Sequence, residues 1–590
     1  MLMFGFATHP LHTVKPAFTG SSAPGRMQPG PEDLRLSLSA PAIRKESLYL
    51  KRTQDTANLV KVNIRHTMKK ILLIGIISLL GNVTPAQNSN LSGGVIFDGE
   101  PYLAVNPQNP RHMVVAWMGY VFLNRIMIRT RVSTDGGINW SAAANVPHVQ
   151  NGHTSADPSL AFDSQGNVYL SYIDYDPYFT SGAVYVRKST DGGLTWEQAV
   201  EVIAFDDDPG RFPIDRPWIT IDCSGGAFSG NIYITTMNAS PAGAPPYHPY
   251  FTRSVNQGQS FEPWRYADTT GWLSGPFIAK PMPTPAISST GIFHCIYPSL
   301  VFSQNLLPQF VLASSADAGI SFSHRSVIAA PSTIAVSDTS AKKGYLLRVN
   351  PSDPQHFAFI HLRNASGDAD VFLMESFNGG ETWNEGTRIN DDPTGNGRMQ
   401  DLVWAAFDTD GDLAIAWRDR RNASDTGYAA AYEIYAAVRR KNEPDFYPNF
   451  RLSSEIIPFD DILFQNGNDF MCLELFNDTI SAVWGDTRNG ALNIWFQRSY
   501  LDGTLLSCTR LADEKLPSLK ITNISPEQVL IESEVITEIT VFNIGGKAVL
   551  RLNNLPGNSR EIINLHNVPP GAYLIRVQTT HGSITARMMR

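Results

Sequence analysis

Short apolar runs alternate with turn-rich segments over most of this 590-residue chain. One kind of turn-rich segment recurs, with a serine, then an acid or amide two positions on, a glycine four positions on and an aromatic residue seven positions on. The five copies span residues 133–140, 189–196, 254–261, 315–322 and 376–383. Each copy follows an alternating or apolar run, which predicts a tight turn that closes a β-hairpin.

The acid or amide of each segment is predicted to accept backbone N–H groups of its own turn, as Asx turns do. These five structural positions are Asp135, Asp191, Asn256, Asp317 and Asn378. Gly193 permits a positive φ, and Trp196 returns to the sheet and covers the hairpin. The segments resemble the Asp-box, or BNR, repeat of sialidases and related β-propellers. That resemblance implies an architecture and leaves the activity open.

A second pattern opens each repeat with an acid, usually a proline, an apolar strand and a terminal Asp or Asn, as in residues 100–106, 157–163, 215–222 and 401–408. Four strands a repeat, and seven repeats of roughly 57 to 68 residues, are typical of a β-propeller. We therefore predict an all-β chain, with a seven-bladed sialidase-like propeller over residues 95–512 and a small β-sandwich over residues 516–590. Six blades remain the alternative, because the sialidases that the repeats resemble have six.

The last 75 residues carry short strand patterns of another kind. A turn from Asn543 to Gly546, a second turn at Pro570 and Gly571, and basic final residues resemble the C-terminal sorting domain of the type IX secretion system. The resemblance implies that the secretion machinery is a partner and that the protein is secreted or held at the outer-membrane surface. An ordinary accessory β-sandwich is the other reading of this segment.

The N-terminal region contains a second signal that predicts export, in addition to the C-terminal one. Residues 68–86 combine a basic start, an apolar run too short to span a bilayer comfortably, and a polar end, as a secretory signal peptide does. We therefore interpret residues 1–67, which are rich in Pro, Ser, Thr and Gly, as an untranslated or disordered leader. A true cytoplasmic extension before a membrane anchor is the alternative.

Charge and composition limit the classes of molecule that the protein is expected to bind. The whole chain has a formal net charge of −8, and removal of residues 1–67, with a net +5, and of Lys69 and Lys70 brings it to about −15. This acidity disfavours a nucleic-acid partner. The four cysteines have no metal-ligand spacing, and we predict no metal and no cofactor. We expect a monomer.

Strand direction sorts the polar residues between the two ends of the repeats. The first strands begin at one end, which we call the acid end, and the five turns lie at the opposite end, which we call the box end. Carboxylates and arginines gather at the acid end, where paired acids could cleave a glycosidic bond and guanidinium forks could bind a carboxylate. The catalytic candidates are Glu100, Asp174, Tyr175 and Asp215. The candidate substrate-binding residues are Arg216, Arg363, Arg421 and Arg488.

The resemblance to sialidases implies an arginine triad for the substrate carboxylate, an Asp acid/base and a Tyr nucleophile. We therefore predict an exported, sialidase-like, glycan-active propeller, an exo-α-sialidase or a related glycoside hydrolase that acts on anionic sugars. The alternative is a non-catalytic propeller of the cell surface that binds glycans or proteins. Arginines that meet at one point beside Asp174 and Tyr175 would favour the enzyme, and arginines held in separate ion pairs would favour the binder.

Overall fold

A computed structural model describes residues 88–590 except for 122–124, 240–246, 270–281, 300–308, 328–343, 365–366, 460–467, 508–518, 526, 534, 544–546, 554, 556–557 and 580–581. The predicted leader, the predicted signal peptide and the predicted turn at Gly546 therefore lie outside the described residues. Within these bounds the chain forms strands and no helix, which confirms the all-β prediction. A helix able to cross a membrane is accordingly not found in this part of the chain.

Seven antiparallel sheets follow one another along the described residues up to 507. A short strand, β1 (Ser89–Asn90), precedes them. Sheet A contains β2 (Asp98–Asn106), β3 (Asn109–Val121), β4 (Arg125–Ser133) and β5 (Ala144–Asn145). Sheet B contains β6 (Thr154–Phe162), β7 (Val168–Tyr175), β8 (Gly182–Ser189) and β9 (Val200–Ala204). Sheet C contains β10 (Asp215–Ile221), β11 (Ile232–Met237), β12 (Tyr250–Ser254) and β13 (Arg265–Tyr266). Sheet D contains β14 (Thr284–Ile287), β15 (Phe293–Ser299), β16 (Gln309–Ser315) and β17 (Ser323–Val327).

The remaining sheets have the same design. Sheet E contains β18 (Tyr345–Val349), β19 (Phe357–Arg363), β20 (Asp370–Ser376) and β21 (Thr387–Arg388). Sheet F contains β22 (Gln400–Phe407), β23 (Leu413–Asp419), β24 (Glu433–Arg439) and β25 (Phe450–Arg451). Sheet G contains β26 (Cys472–Phe476), β27 (Thr479–Asp486), β28 (Asn493–Tyr500) and β29 (Leu505–Leu506).

The first strands of the sheets contact one another in a ring. The contacts run in the order β2, β6, β10, β14, β18, β22 and β26, and β26 in turn contacts β2. The strand β1 pairs with β28, so the start of the described chain joins the last sheet. Four-stranded sheets arranged radially in this way form a β-propeller, which leaves only short, protected sheet edges.

Aromatic side chains fill the centre of the ring. The rings of Tyr102, Trp218 and Trp404 come from sheets A, C and F, and that of Phe470 lies just before β26 of sheet G. Neighbouring centroids in this cluster lie 5.3–5.6 Å apart. Aromatic pairs at this spacing add to the free energy gained by burying their area. The axis is therefore a packed core at this level.

Bulges interrupt four of the first strands at one equivalent position. The register shifts there in β2, β6, β10 and β22, and a non-glycine residue takes a positive φ. These residues are Glu100 (53°), Asp157 (53°), Arg216 (51°) and Leu402 (57°). The sequence pattern instead aligned Asp215 with Glu100 and Asp157, and that alignment is wrong by one residue. A bulge shifts the side-chain alternation by one position, and in the first three strands the bulged residue is the one that precedes a proline.

The five Asp-box turns share one hydrogen-bond pattern. The serine hydroxyl donates to the acid or amide oxygen at 2.7–2.9 Å and accepts the glycine N–H at 2.6–2.9 Å. The same acid or amide oxygen accepts the backbone N–H four residues on at 2.8–3.0 Å. The side-chain hydrogen bond from Ser321 holds the pKa of Asp317 at about 2. These residues therefore stabilise the turns.

The C-terminal residues form a β-sandwich with a core of their own. One sheet contains β30 (Lys520–Ser525), β31 (Gln528–Glu532) and β34 (Arg560–Asn564). The other contains β32 (Ile536–Asn543), β33 (Ala548–Leu552), β35 (Ala572–Thr579) and β36 (Gly582–Met589). Val529, Ile531, Ile539 and Val577 are among the buried residues between the sheets. Arg590 and Gly571 exchange two backbone hydrogen bonds, which fix the final residue in the sandwich.

Candidate functional site

Three carboxyl groups lie in a row at the acid end of the propeller. Glu100, Asp157 and Asp215 come from three successive sheets, and both Glu100 and Asp215 hydrogen bond to Asp157. Glu100 and Asp157 are buried, whereas Asp215 is half-buried. The bulges described above direct Glu100 and Asp157 toward the axis, so the row depends on a backbone feature and not on sequence spacing alone.

The charges in this row cannot all be ionised at once. Burial, together with the negative charges of Asp157 and Asp469, raises the pKa of Glu100 well above its usual range. Although burial acts the other way, the hydrogen bond from Glu100 and the charge of Arg216 lower the pKa of Asp157. Glu100 Oε2 has no hydrogen-bond partner among the described residues, so the hydrogen bond to Asp157 is made by the other carboxyl oxygen of Glu100. A carboxylic acid and a carboxylate therefore lie side by side.

Arg216 compensates part of the negative charge. Its Nη2 donates to Asp469 Oδ2 at 2.5 Å, and its backbone N–H donates to Asp157 Oδ2 at 3.4 Å. Arg216 is 3% exposed and Asp469 is 7% exposed, so this ion pair is largely removed from solvent. One guanidinium faces four acids here, which is why retention of a proton by Glu100 is favoured.

Tyr175 lies beside the carboxyl row. Burial raises its pKa above the usual range, and so do the negative charges of Asp157, Asp215 and Glu100. The phenol is therefore protonated at neutral pH and is suited to donate a hydrogen bond. The ring packs against Phe179 at a centroid distance of 5.0 Å.

The side chain of Asp174 does not lie with that of Tyr175, although both are catalytic candidates. Both residues lie in β7, and neighbouring residues of a strand point to opposite faces. The Asp174 carboxylate is fully buried, 2.6 Å from His153 Nδ1 and 3.1 Å from His148 Nδ1. No sequence pattern points to these two histidines, which lie 21 and 26 residues before Asp174.

Two of the predicted substrate-binding arginines are held by carboxylates of their own sheets. Arg421 Nη2 donates to Asp419 Oδ2 at 2.9 Å, and Arg488 Nη2 donates to Asp486 Oδ2 at 2.5 Å. Each Asp also accepts the backbone N–H of its arginine, at 2.7 Å and 2.8 Å. The repeated Asp-x-Arg motif is thus a closed local ion pair.

The four predicted arginines have separate sets of partners. Arg421 also reaches Asp391, and its guanidinium lies 4.1 Å from the centroid of Tyr435. Arg363 stacks over Phe372 at 4.9 Å. Since Arg216 is paired at the axis, the structure does not bring the four guanidinium groups to one point. This geometry favours the structural alternative for Arg421 and Arg488, and their role in substrate binding stays a prediction.

We expect Arg488→Ala to lower the free energy of unfolding by about 1.5–3 kcal/mol, the range for hydrogen bonds to a charged group. Arg488 is 4% exposed on its side chain, and its removal leaves Asp486 buried with the indole N–H of Trp484 as a remaining donor. Chemical denaturation of the purified variant measures the change. A loss of activity with unchanged stability would instead show that Arg488 binds substrate.

The side chains at the acid end can supply acid–base chemistry. Among the described residues, no group of three or more His, Cys, Asp or Glu residues has an arrangement that could hold a metal ion. The row offers a proton donor, a carboxylate and a phenol within one cluster. Groups whose pKa values are driven apart by their surroundings are the usual parts of an acid–base pair.

Comparison with known families finds two segments of the chain that match. The BNR/Asp-box repeat matches residues 131–142, and the secretion system C-terminal sorting domain matches residues 517–589. The protein thus combines Asp-box repeats with a sorting domain of the type IX secretion system. It is exported, and it is secreted or attached to the cell surface. Both resemblances drawn from the sequence are confirmed.

Solved structures similar to this chain are remote in sequence. An α-L-arabinanase of Penicillium chrysogenum is 15% identical, with 56% of this chain and 92% of that chain covered and a TM-score of 0.39. An α-L-arabinofuranosidase of Fusarium graminearum is 11% identical, with 71% and 98% covered and a TM-score of 0.39. The NanB sialidase of Streptococcus pneumoniae is 12% identical, with 71% and 70% covered and a TM-score of 0.36. No curated protein matches the chain.

Proposed function

We propose that the seven sheets are the blades of one seven-bladed propeller, and that its acid end hydrolyses glycosidic bonds of glycans outside the cell. The observation that carries the proposal is the row of Glu100, Asp157 and Asp215, in which a protonated acid adjoins a carboxylate. Glycoside hydrolysis needs an acid that protonates the leaving oxygen and a carboxylate that activates water or attacks carbon.

Asp215 is the member of the row that reaches solvent, since it is half-buried while Glu100 and Asp157 are buried. We assign it the transfer of a proton to the glycosidic oxygen. Asp157 hydrogen bonds to both Glu100 and Asp215, and this contact holds Asp215 in the row. Tyr175 donates a hydrogen bond beside this acid, and Arg216 supplies the compensating charge.

Exo-α-sialidase activity would require, in addition, a binding site for the carboxylate of the substrate. A substrate carboxylate would have to meet guanidinium groups among Arg216, Arg363, Arg421 and Arg488. The ion pairs with Asp419 and Asp486 would have to open for Arg421 and Arg488 to take part. These same ion pairs favour the second candidate function, a glycan-binding propeller without catalysis.

The test is a hydrolysis assay of the purified exported protein on chromogenic glycosides, arabinan oligosaccharides and sialyllactose. We expect at least one substrate to be cleaved, and Asp215→Asn to lower kcat by about 100-fold or more, the contribution of a general acid. Asp191→Asn is the matched control. Two other Asp-boxes carry Asn at that position, so the control should keep both the fold and the activity.

The outcomes separate the two candidate functions. Glycan binding without cleavage, with binding weakened by Asp215→Asn, would support the non-catalytic propeller. Cleavage that Asp215→Asn leaves unchanged would show that the carboxyl row is not the catalytic site. Cleavage of sialyllactose alone, lost in Arg421→Ala with an unchanged melting temperature, would establish the sialidase form.

A further inference from the structure

A cleft of about 270 Å³ opens at the box end, between sheet A and sheet G. Arg111, Asp135 and Ile138 line it from sheet A and the first Asp-box. Thr479, Ser481 and Arg498 line it from sheet G. The cleft lies at the opposite end of the propeller from the carboxyl row, and it has no part in the function proposed above.

The boundary between sheets A and B shows how such a position is normally filled. There the Asp-box glycine Gly193 packs on Val114 and Val132 of sheet A, since a Cβ at Gly193 would lie 2.8 Å from Val114 and 3.2 Å from Val132. These two valines pair across β3 and β4. An apolar pair on one sheet thus supports the Asp-box of the next.

Sheet G presents a polar pair in the same register. Met113 pairs with Ser133 in sheet A, and Ile480 pairs with Ser499 in sheet G, so these pairs are equivalent. The next pair along is then Ser481 with Arg498, where sheet A has its two valines. A Cβ at Gly137 of the first Asp-box would lie 2.6 Å from the ring of Phe496 and 3.3 Å from Arg498 Cδ. Phe496 therefore supplies the apolar support for this Asp-box, and Ser481 and Arg498 line the cleft beside it.

A smaller residue at a second equivalent position of sheet G also enlarges the cleft. In sheet A, His112 extends toward the box of sheet B, and its Nε2 lies 2.8 Å from the carbonyl oxygen of Gly192. Thr479 precedes Ile480 as His112 precedes Met113, so the smaller threonine stands where the histidine reaches across. The missing volume and the polar pair explain why a cleft occurs at this boundary.

The cleft has positive charge that the protein does not neutralise. Arg498 and Arg111 form no ion pair within the described chain, and Arg498 Nε is buried with no hydrogen-bond partner there. Asp135 is committed to its own turn, because its two carboxylate oxygens accept the N–H and the side-chain amide of Asn139 at 2.8 Å and 2.7 Å. A charged group left without a partner is costly unless a ligand or solvent supplies one.

One more acid lines the cleft, and it is protonated over part of the physiological range. Burial raises the pKa of Glu474 to about 7, although the charge of Arg348 acts to lower it. Below pH 7 the groups that face Arg498 are therefore Arg111, Asp135 and a neutral Glu474. The net charge of the cleft is then positive, and it falls as Glu474 ionises.

We propose that this cleft binds a single anionic sugar unit, with the carboxylate or sulfate of the sugar on Arg498 and Arg111. The guanidinium group binds planar or tetrahedral oxyanions through two parallel hydrogen bonds. The hydroxyl groups of Thr479 and Ser481 are suited to sugar hydroxyls, and Ile138 supplies an apolar wall for a sugar face. The volume suits one monosaccharide, since it lies just below the range of roughly 300–1,000 Å³ for drug-sized ligands.

Isothermal titration calorimetry at pH 6 tests this site on the full exported protein with glucuronate, glucose 6-sulfate and glucose as probes. We expect glucuronate or glucose 6-sulfate to bind at least tenfold more tightly than glucose. Arg498→Gln should weaken that binding by about tenfold or more, the effect of losing a charge-assisted contact. The matched control, Arg440→Gln, removes an exposed arginine outside the cleft and should leave the affinity unchanged.

Two further variants act in opposite directions. The double variant Ser481→Val and Arg498→Val copies the valine pair of sheet A, so it should keep the melting temperature and abolish binding. Asp135→Asn removes one negative charge and keeps a residue that two other Asp-boxes use, so it should strengthen binding severalfold. The proposal requires both results.

Three results would overturn the inference. Equal affinity for glucose and the anionic sugars would show that the charge of the ligand does not matter for binding. Inorganic sulfate that binds as tightly as the anionic sugars would show that the cleft recognises the anion and not the sugar. Binding that Arg498→Gln leaves unchanged but Asp215→Asn abolishes would place the anion at the acid end. This last result would leave the hydrolysis assay as an independent test of the proposed function.

Discussion

Replacing Asp401 with alanine should lower the free energy of unfolding by about 3–5 kcal/mol, the cost of breaking a buried ion pair. Asp401 is 2% exposed and accepts hydrogen bonds from two buried arginines, Arg418 and Arg420. Arg418 Nε lies 2.6 Å from Asp401 Oδ1, and Arg420 Nη1 lies 3.1 Å from the same oxygen. The alanine variant leaves two guanidinium groups in the core of sheet F without their carboxylate.

Urea denaturation followed by tryptophan fluorescence measures this loss, provided that the transition remains two-state. Glu381→Ala is the matched control, because it also breaks an ion pair with an arginine, Arg325, but one whose side chains are 44% and 60% exposed. An exposed pair contributes about 0–1 kcal/mol. Equal effects of the two variants would contradict the assignment of Asp401 to a buried ion pair.

Repetition in the sequence is what made the architecture predictable. Each Asp-box combines a serine, an acid or amide and a glycine whose hydrogen bonds depend only on residues within the same turn. The second strands were likewise predictable, because runs such as 113–117, 168–172 and 480–484 are mostly apolar and lie in strands that are buried on both faces. The hydrogen-bonding residues within each turn and the apolar runs of the buried strands were therefore sufficient to predict these turns and strands.

The acid end was predictable only in part, because its geometry depends on the backbone. The sequence pattern aligned Glu100 with Asp157, and both take the bulged position, but the bulge in β10 places Arg216 where the pattern placed Asp215. The extent of a strand matters in the same way at Asp174, because β7 continues through Tyr175 and so turns these two neighbouring side chains to opposite faces. Neither a bulge nor the end of a strand has a strong signature in a single sequence.

The ion-pair partners of the arginines could not all be predicted from the sequence, for another reason. Arg216 pairs with Asp469, which is 253 residues away, and spacing along the chain carries no information about such a contact. Arg421 and Arg488, in contrast, pair with the Asp two residues before each of them. A repeated pairing of this kind, within one short motif, is typical of an ion pair that fixes a loop.

Two glycine-to-alanine variants should show how much the contact between an Asp-box and the preceding sheet contributes to the free energy of unfolding. Gly319 and Gly230 have nearly the same φ, +87° and +90°, so alanine meets similar backbone strain of about 1–2 kcal/mol at both. A Cβ at Gly319, however, would lie 2.2 Å from the ring of Phe251 in sheet C, whereas a Cβ at Gly230 would meet no atom within 4 Å.

We therefore expect Gly319→Ala to lower the free energy of unfolding by about 1–3 kcal/mol more than Gly230→Ala, the cost of overpacking a core. Phe251 is 1% exposed and lies in a cluster with Tyr233 and Phe293, so its ring has little room to shift. Urea denaturation of both variants at one pH gives the difference. If the two variants lose the same stability, the glycine serves only its own turn, and contact with the preceding sheet does not stabilise the ring.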